Sequence, residues 1–178
     1  MKTIRGVENF PKNEASIVTI GTFDGVHLGH QKVLKHVVTL AKSKNAKSLL
    51  ITYHPHPRLV IDPSNQDLRM LSSIEEKAKA VYDLGVDFVL VLPFTTEFSQ
   101  MSPRDFVAKI LVEQLHVNTI VIGYDHRFGR NREGDFHSLV TLSQEFHFDV
   151  AELLLWVFDH LFYNFVKNQL DLNSLHVV

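Results

Sequence analysis

Apolar positions along this chain fall into two alternating kinds of run. Largely apolar runs at 16–21, 48–53, 87–92 and 119–123 have the length and branching of strands buried on both faces. Between them, apolar residues recur every three or four positions. Val33, Leu34, Val37, Val38 and Ala41 predict a helix from about 31 to 44. Ala78, Val81, Tyr82 and Leu84 predict a second, opened by a capping box of Ser72 with Glu75 and ended by Gly85. Phe106, Val107, Ile110, Leu111 and Leu115 predict a third, with Ser102 as N-cap and Pro103 in the first turn. A fourth is expected over about 137–147. The lead-in, 1–15, carries a short edge strand within 3–7. The stretch 58–71 reads as an irregular flap, and Phe94 and Phe98 sit in a loop. The alternation predicts an α/β fold, a Rossmann-like open parallel sheet with helices on both faces. Ligands bind such sheets at the strands' C-terminal ends, so the loops at 21–30, 53–63, 93–100 and 123–134 should build one crevice.

Those loops hold the chemistry. The first, Gly21-Thr22-Phe23-Asp24-Gly25-Val26-His27-Leu28-Gly29-His30, packs three glycines and two histidines into a strand-to-helix turn. Glycines let backbone approach an anion, and a helix start offers unpaired N–H groups and a positive dipole end. Imidazole N–H donors at His27 and His30 would complete a phosphate site. The glycines are four apart, so this is no G-x-G-x-x-G, and no G-K-[ST] makes it a P-loop. The bland alternative is a glycine-rich turn with two surface histidines. The second loop, His54-Pro55-His56-Pro57, forms a stiff wall. Its histidines read either as a metal pair lacking a third ligand nearby in sequence or as part of a rigid, solvent-facing loop. The third, 124–134, combines Asp125, Arg127, Arg130, Arg132 and Phe128 with two glycines. Arginine forks suit phosphate oxygens; the alternative is an exposed charged hairpin.

The string G-T-F-D-G-V-H-L-G-H resembles the H-x-G-H signature of nucleotidylyltransferases, in the form found in the FAD synthetase module of bacterial bifunctional riboflavin kinase/FAD synthetases. T-Y-H-P-H-P resembles that family's T-F-x-P-H-P, with Tyr53 for Phe. G-Y-D-H-R-F-G-R-N-R-E-G resembles G-x-D-F-R-F-G-x-x-R-x-G, with His126 for Phe. L-S-S-I-E-E-K resembles L-x-S-x-x-E-K and is read as structural. The resemblance implies transfer of AMP from ATP to FMN, giving FAD and pyrophosphate. It assigns catalysis to His27 and His30. It assigns ATP to Gly21, Thr22, Phe23, Asp24, Gly25, His27, Gly29, His30 and Arg127. Flavin falls to Pro55, Pro57, Asp125 and Phe128, with Phe106 and Ile110 as candidate borders. Mg²⁺ would arrive with ATP, held mainly by its phosphates, and no protein metal ligand is assigned.

Composition narrows the partners. With 45% apolar and 21% charged residues over 178 positions, the chain suits one globular domain. A net charge of −2 without a basic block gives no reason to expect a nucleic-acid partner. No cysteine, secretory signal or bilayer-spanning run is found, so a cytoplasmic protein without a membrane partner is expected. The resemblance covers about 1–150, the expected FMN adenylyltransferase-like domain. Residues 151–178 form a divergent apolar tail, and a riboflavin kinase domain is expected to be absent. The family's second nucleotide signature, S-S-T-x-I-R, is not found. The tail reads as a helix on the sheet edge, as a self-association surface giving a homo-oligomer, or as a non-homologous end such as a shifted reading frame leaves. Two rivals to FAD synthesis remain: a truncated flavin- or nucleotide-binding or self-associating module, and nucleotidylyl transfer to another phosphate acceptor. T-Y-H-P-H-P and D-H-R-F-G weigh against the last.

Overall fold

Neighbouring residues within each apolar run face opposite sides of one parallel sheet. Val18, Leu49, Ile51, Leu90 and Ile120 pack on one side; Ile17, Leu50, Val89, Val91 and Val121 pack on the other. The computed structural model describes residues 2–11, 14–64, 69–123 and 126–153. Its strands are β1 (Lys2–Arg5), β2 (Ser16–Ile20), β3 (Lys47–His54), β4 (Phe88–Pro93), β5 (Val117–Gly123) and β6 (Asp149–Leu153). They lie in the order β1-β4-β3-β2-β5-β6, every described pairing parallel. The order reverses at β2, which pairs with β3 on one side and β5 on the other. That reversal is where open α/β sheets form a ligand crevice.

The helices are α1 (Leu28–Ser43), α2 (Pro57–Ile61), α3 (Ile74–Asp83), α4 (Thr96–Ser99), α5 (Pro103–Asp105, running on into a π-helical stretch Phe106–Val112) and α6 (Phe136–Phe146). α1 and α3 cover one sheet face through Val33, Leu34, Val37, Ala78 and Val81. The α5 stretch and α6 cover the other through Phe106, Val107, Leu111, Leu139 and Leu142. The predicted two-faced sheet is therefore what forms.

Several local expectations shift. The capping box is one residue later than expected. Glu76 N–H donates to Ser73 Oγ at 3.1 Å and Ser73 N–H to Glu76 Oε2 at 2.8 Å, while Ser72 is engaged elsewhere. α1 starts at Leu28, because His27 caps it. The flap opens on a helical turn, α2, with Pro57 pre-set at its start, and Phe98 lies in α4. The third predicted helix is π-wound. Glu113 N–H donates to Ala108 O at 3.0 Å and Leu115 N–H to Ile110 O at 3.1 Å, each five residues back.

A strand that the apolar pattern did not predict is β6. It pairs with β5 from Thr119↔Asp149 to Gly123↔Leu153, so residues 151–153, the first of the expected tail, continue the sheet. Lys44, at the end of α1, secures this edge by donating to Asn118 Oδ1, Thr119 Oγ1 and Asp149 Oδ2. The three tail readings otherwise fall on 154–178, outside the described residues. No helix among the described residues is long and apolar enough to cross a membrane.

The reassigned cap gives a stability prediction. Ser73→Ala should lower unfolding free energy by about 1 kcal/mol in chemical denaturation, the usual cost of losing an N-cap oxygen. An unchanged midpoint would place the cap elsewhere.

Candidate active site

The chain leaves β2 through an unusually tight turn. Gly21 N–H still donates to Ile51 O of β3 at 3.0 Å. Then Phe23, Gly25 and Val26 take left-handed φ values of 45°, 69° and 41°. Two of these are bulky L-residues in a region that disfavours them, so surrounding contacts must hold them there. Phe23 and Val26 are buried at 5% and 6% exposure. At Gly25 the positive φ is one that L side chains rarely adopt, and a Cβ would lie a tight 3.0 Å from Leu71 Cδ1.

Polar anchors complete the hold. Thr22 carbonyl accepts from Lys77 Nζ at 2.5 Å and from Thr52 Oγ1 at 3.2 Å. Asp24 carboxylate accepts from the Leu71 amide at 2.9 Å, the Ser72 amide at 3.1 Å and the Ser72 hydroxyl at 3.2 Å. Burial alone would raise the Asp24 carboxyl; the Leu71 amide, Ser72 and then Lys77 outweigh it and hold it below the ordinary carboxylate value. Asp24, expected among the ATP contacts, thus already has both oxygens committed to tying the turn to the start of α3.

The turn delivers the two histidines as a stacked pair. His27 is the N-cap of α1, and its Nδ1 accepts from the His30 amide at 3.4 Å. The two rings lie 3.6 Å apart at 21°, and Phe23 backs His30 at 4.6 Å. Burial pushes His30 down to about 4, with His27 and Lys77 adding to the shift and Asp24 opposing it. At neutral pH His30 is therefore uncharged. Its Nδ1 is buried with no hydrogen-bond partner among the described residues. A lone pair is the cheaper group to bury unpaired, so we assign the ring proton to Nε2. His30 is thus an N–H donor at the helix start, where Leu28 and Gly29 amides also lack intrahelical acceptors.

Beside the turn lies a cleft of about 410 Å³, walled by Tyr53, Pro55, His56, Leu59, Leu71 and Lys77 among others. That volume is within the usual range for small-molecule sites. His56 caps α2, its Nδ1 accepting from Arg58 N–H at 3.2 Å. Its depressed pKa comes first from burial, then from Arg58 and Lys77, with Asp24 opposing. Pro55 faces the cleft, whereas Pro57 begins α2. From Tyr53 a relay of ring contacts runs through Phe94, Phe98 and Phe106 to Phe128 and His126, with centroids 5.5 to 6.1 Å apart. Tyr53's phenol is pushed up by burial.

The arginine loop leaves β5, next to β2, at the same sheet edge. An antiparallel bridge closes it: Phe128 N–H donates to Gly134 O at 3.0 Å and Gly134 N–H to Phe128 O at 2.9 Å. A Cβ at Gly134 would sit 2.8 Å from the Phe128 ring. Arg130 N–H donates to Met101 O at 2.8 Å, docking the loop on the start of α5. Arg127 pairs with Asp135, the cap of α6, at 3.0 Å. Arg130 pairs with Glu133 at 3.4 Å. Phe128 is 6% exposed and forms part of the core beneath the loop. Asp125 lies outside the described residues.

Sequence reasoning placed Lys77 in L-S-S-I-E-E-K and read that string as structural; its burial beneath the turn, the Asp24–Ser72 tie and the aromatic relay were not foreseen. Lys77 carried a signal, since a lysine stands where α3 continues its apolar stripe toward Ala78 and Val81. Phe94 and Phe98 carried none beyond their aromatic character.

Comparison with known proteins identifies the family. The FAD synthetase family profile matches residues 9–159, past the point where the sequence motifs give out. A bifunctional riboflavin kinase/FMN adenylyltransferase of Buchnera aphidicola (Schizaphis graminum) is 35% identical over 178 residues, covering 99% of this chain and 54% of its own length. The protein of the same name from Escherichia coli K12 is 34% identical over 153 residues, 85% of this chain and 49% of its own. The chain thus spans about half the length of the curated relatives it matches. A crystal structure titled macrolide-efflux protein, from Streptococcus pneumoniae, superposes with a TM-score of 0.76 at 22% identity, over 86% of this chain and 51% of that one. At that identity the likeness shows the fold alone.

The depressed His30 value gives a test with a definite sign. Between about 6.5 and 4 the unfolded chain binds a proton at this ring that the folded chain refuses, so folding loses stability as pH falls through that window. An NMR titration should place His30 near 4, and the acid-side fall in melting temperature should shrink in His30→Gln. A midpoint at or above 6 would contradict the buried, neutral ring.

Proposed function

Because the chain belongs to the FAD synthetase family, we propose that it transfers the adenylyl group of MgATP to FMN, releasing pyrophosphate and forming FAD. One observation carries this reading: two stacked histidines on the capped first turn of a helix, at the reversal point of a parallel sheet. A phosphate oxygen of FMN attacks the α-phosphorus of ATP. A new P–O–P bridge forms there as the bond from the α-phosphorus to the departing pyrophosphate breaks. The nucleophile belongs to the substrate, so the protein's task is alignment and charge neutralisation.

In this reading His27 and His30 donate N–H groups to the α- and β-phosphates. Turn backbone at Gly21, Thr22, Phe23 and Gly25, with Gly29 in the first turn of α1, lets the polyphosphate approach. Asp24 contributes by fixing the turn. Arg127 reaches the nucleotide by exchanging its Asp135 partner for phosphate. Pro55 and the cleft take the flavin; Pro57 holds that wall through α2, and Phe128 supports it from the core, with Asp125 a further candidate. Mg²⁺ would arrive as part of the nucleotide substrate, carried on its phosphates.

A second reading, flavin or nucleotide binding without turnover, is favoured by one feature, the missing S-S-T-x-I-R string. One assay separates the two. FMN-dependent pyrophosphate release from MgATP should match FAD formation mole for mole. His30→Ala should lower turnover on the order of 10²–10³ while leaving the fold intact, the scale of one preorganised donor. Binding without FAD formation would select the second reading, and a His30→Ala rate within a few-fold of wild type would remove His30's role.

A further inference from the structure

Lys77 is anomalous. It is 2% exposed, and its ammonium lies beneath the turn between β2 and α1. Among the described residues no carboxylate lies within ion-pair distance of it. Its hydrogen-bond partners are Thr22 carbonyl at 2.5 Å and Thr52 Oγ1 at 3.4 Å, two acceptors for three donors. Asp24 supplies the negative charge felt there, and its oxygens are already engaged by Leu71 and Ser72. Burying a cation with so little compensation is expensive.

Holding the turn does not require that cost. Thr52 Oγ1 already donates to Thr22 carbonyl at 3.2 Å, so the carbonyl has a partner without the lysine. Apolar neighbours on α3, Ala78 and Val81, pack the same face of the sheet without charge. What a neutral side chain could not supply is positive charge directly behind the turn.

We propose that Lys77 is a positioning residue for anion binding: a buried cation that grips the turn through Thr22 and supplies fixed positive charge behind it to the polyphosphate of the nucleotide substrate. The proposal rests on reading the turn as a phosphate site and deepens that reading by naming the charge that makes it one. In low dielectric such a charge acts strongly and needs no reorganisation when the anion arrives. Its reach is visible in the histidines. Lys77 is one of the charges depressing both His30 and His56, one from each motif lining the site. The charged and titratable groups facing His30 are His27 on α1, Asp24 in the turn and Lys77 on α3. An incoming phosphate would add a Coulombic attraction that offsets the desolvation now holding the lysine's own affinity for protons down.

The test compares Lys77→Met with Thr52→Val, which removes a hydrogen bond and leaves the charge. Calorimetry with MgATP, and with pyrophosphate alone, should show affinity falling at least about tenfold in Lys77→Met, the scale of one charge-assisted contact. In Thr52→Val it should fall by less. By NMR, His30 should titrate closer to the ordinary histidine value in Lys77→Met and stay put in Thr52→Val, a response that loss of packing alone would not give. A folded Lys77→Met protein with wild-type affinity and an unmoved His30 overturns the proposal. Should that variant not fold, the wild-type protein decides: the Lys77 ammonium resonance should titrate upward when pyrophosphate saturates the site, and an unmoved titration overturns the proposal. Wild-type chain that binds polyphosphate but makes no FAD removes the adenylyl-transfer reading and leaves this one standing. Wild-type chain that binds no polyphosphate removes both.

Discussion

The shape of the turn after β2 depends on polar ties to the strand beside it and to the segment that precedes α3. Thr22's carbonyl accepts from Thr52 of β3, with Lys77 as a second donor, and Asp24's carboxylate accepts from the Leu71 and Ser72 amides. Without those ties Phe23 and Val26 would have little reason to keep left-handed backbone, which costs of order 1–3 kcal/mol per residue. With them, the chain reverses within a few residues and enters α1 with His27 as its cap. The histidines are therefore placed by contacts from β3 and from the 71–72 segment, far from them in the chain. Most of the charged ties elsewhere on the surface, such as Arg5 with Glu75, are exposed and contribute little.

That arrangement leaves an uncharged donor at the start of α1. Stacked 3.6 Å from His27 and pushed down by burial, His30 offers an N–H without a charge of its own. Positive potential comes instead from groups that need not move, the first turn of α1 and the buried lysine behind it. The sheet order adds the remaining parts. β3 and β5 flank β2, so the proline wall and the arginine loop reach the same edge from either side. The relay from Tyr53 to Phe128 links those two loops through packed rings rather than through solvent.

Much of this was legible in the sequence, for identifiable reasons. The central strands read clearly because both faces are buried, so Leu49-Leu50-Ile51 is a continuous apolar run. The glycine-histidine turn read clearly because its residue types suit few other structures. β6 did not, because it is an edge strand whose residues are only partly buried, and its pattern blends with the apolar residues that follow. The capping box was misplaced by one residue because Ser72-Ser73 and Glu75-Glu76 are doubled, and only the tertiary demand of Asp24 on Ser72 separates them. Lys77 stood in the L-S-S-I-E-E-K string, but its place beneath the turn was not legible, because a lysine in a helix ordinarily marks the solvent face. Here its burial depends on a carbonyl fifty-five residues away in the chain.

The central claim is that one crevice, organised by that turn, receives both substrates. Amide chemical-shift mapping with MgATP and then FMN tests it most directly. The account predicts that MgATP perturbs 21–30 and 126–134, and that FMN then perturbs 53–59 and 70–77 around the cleft. Perturbations by either ligand confined to surfaces away from these loops would contradict it.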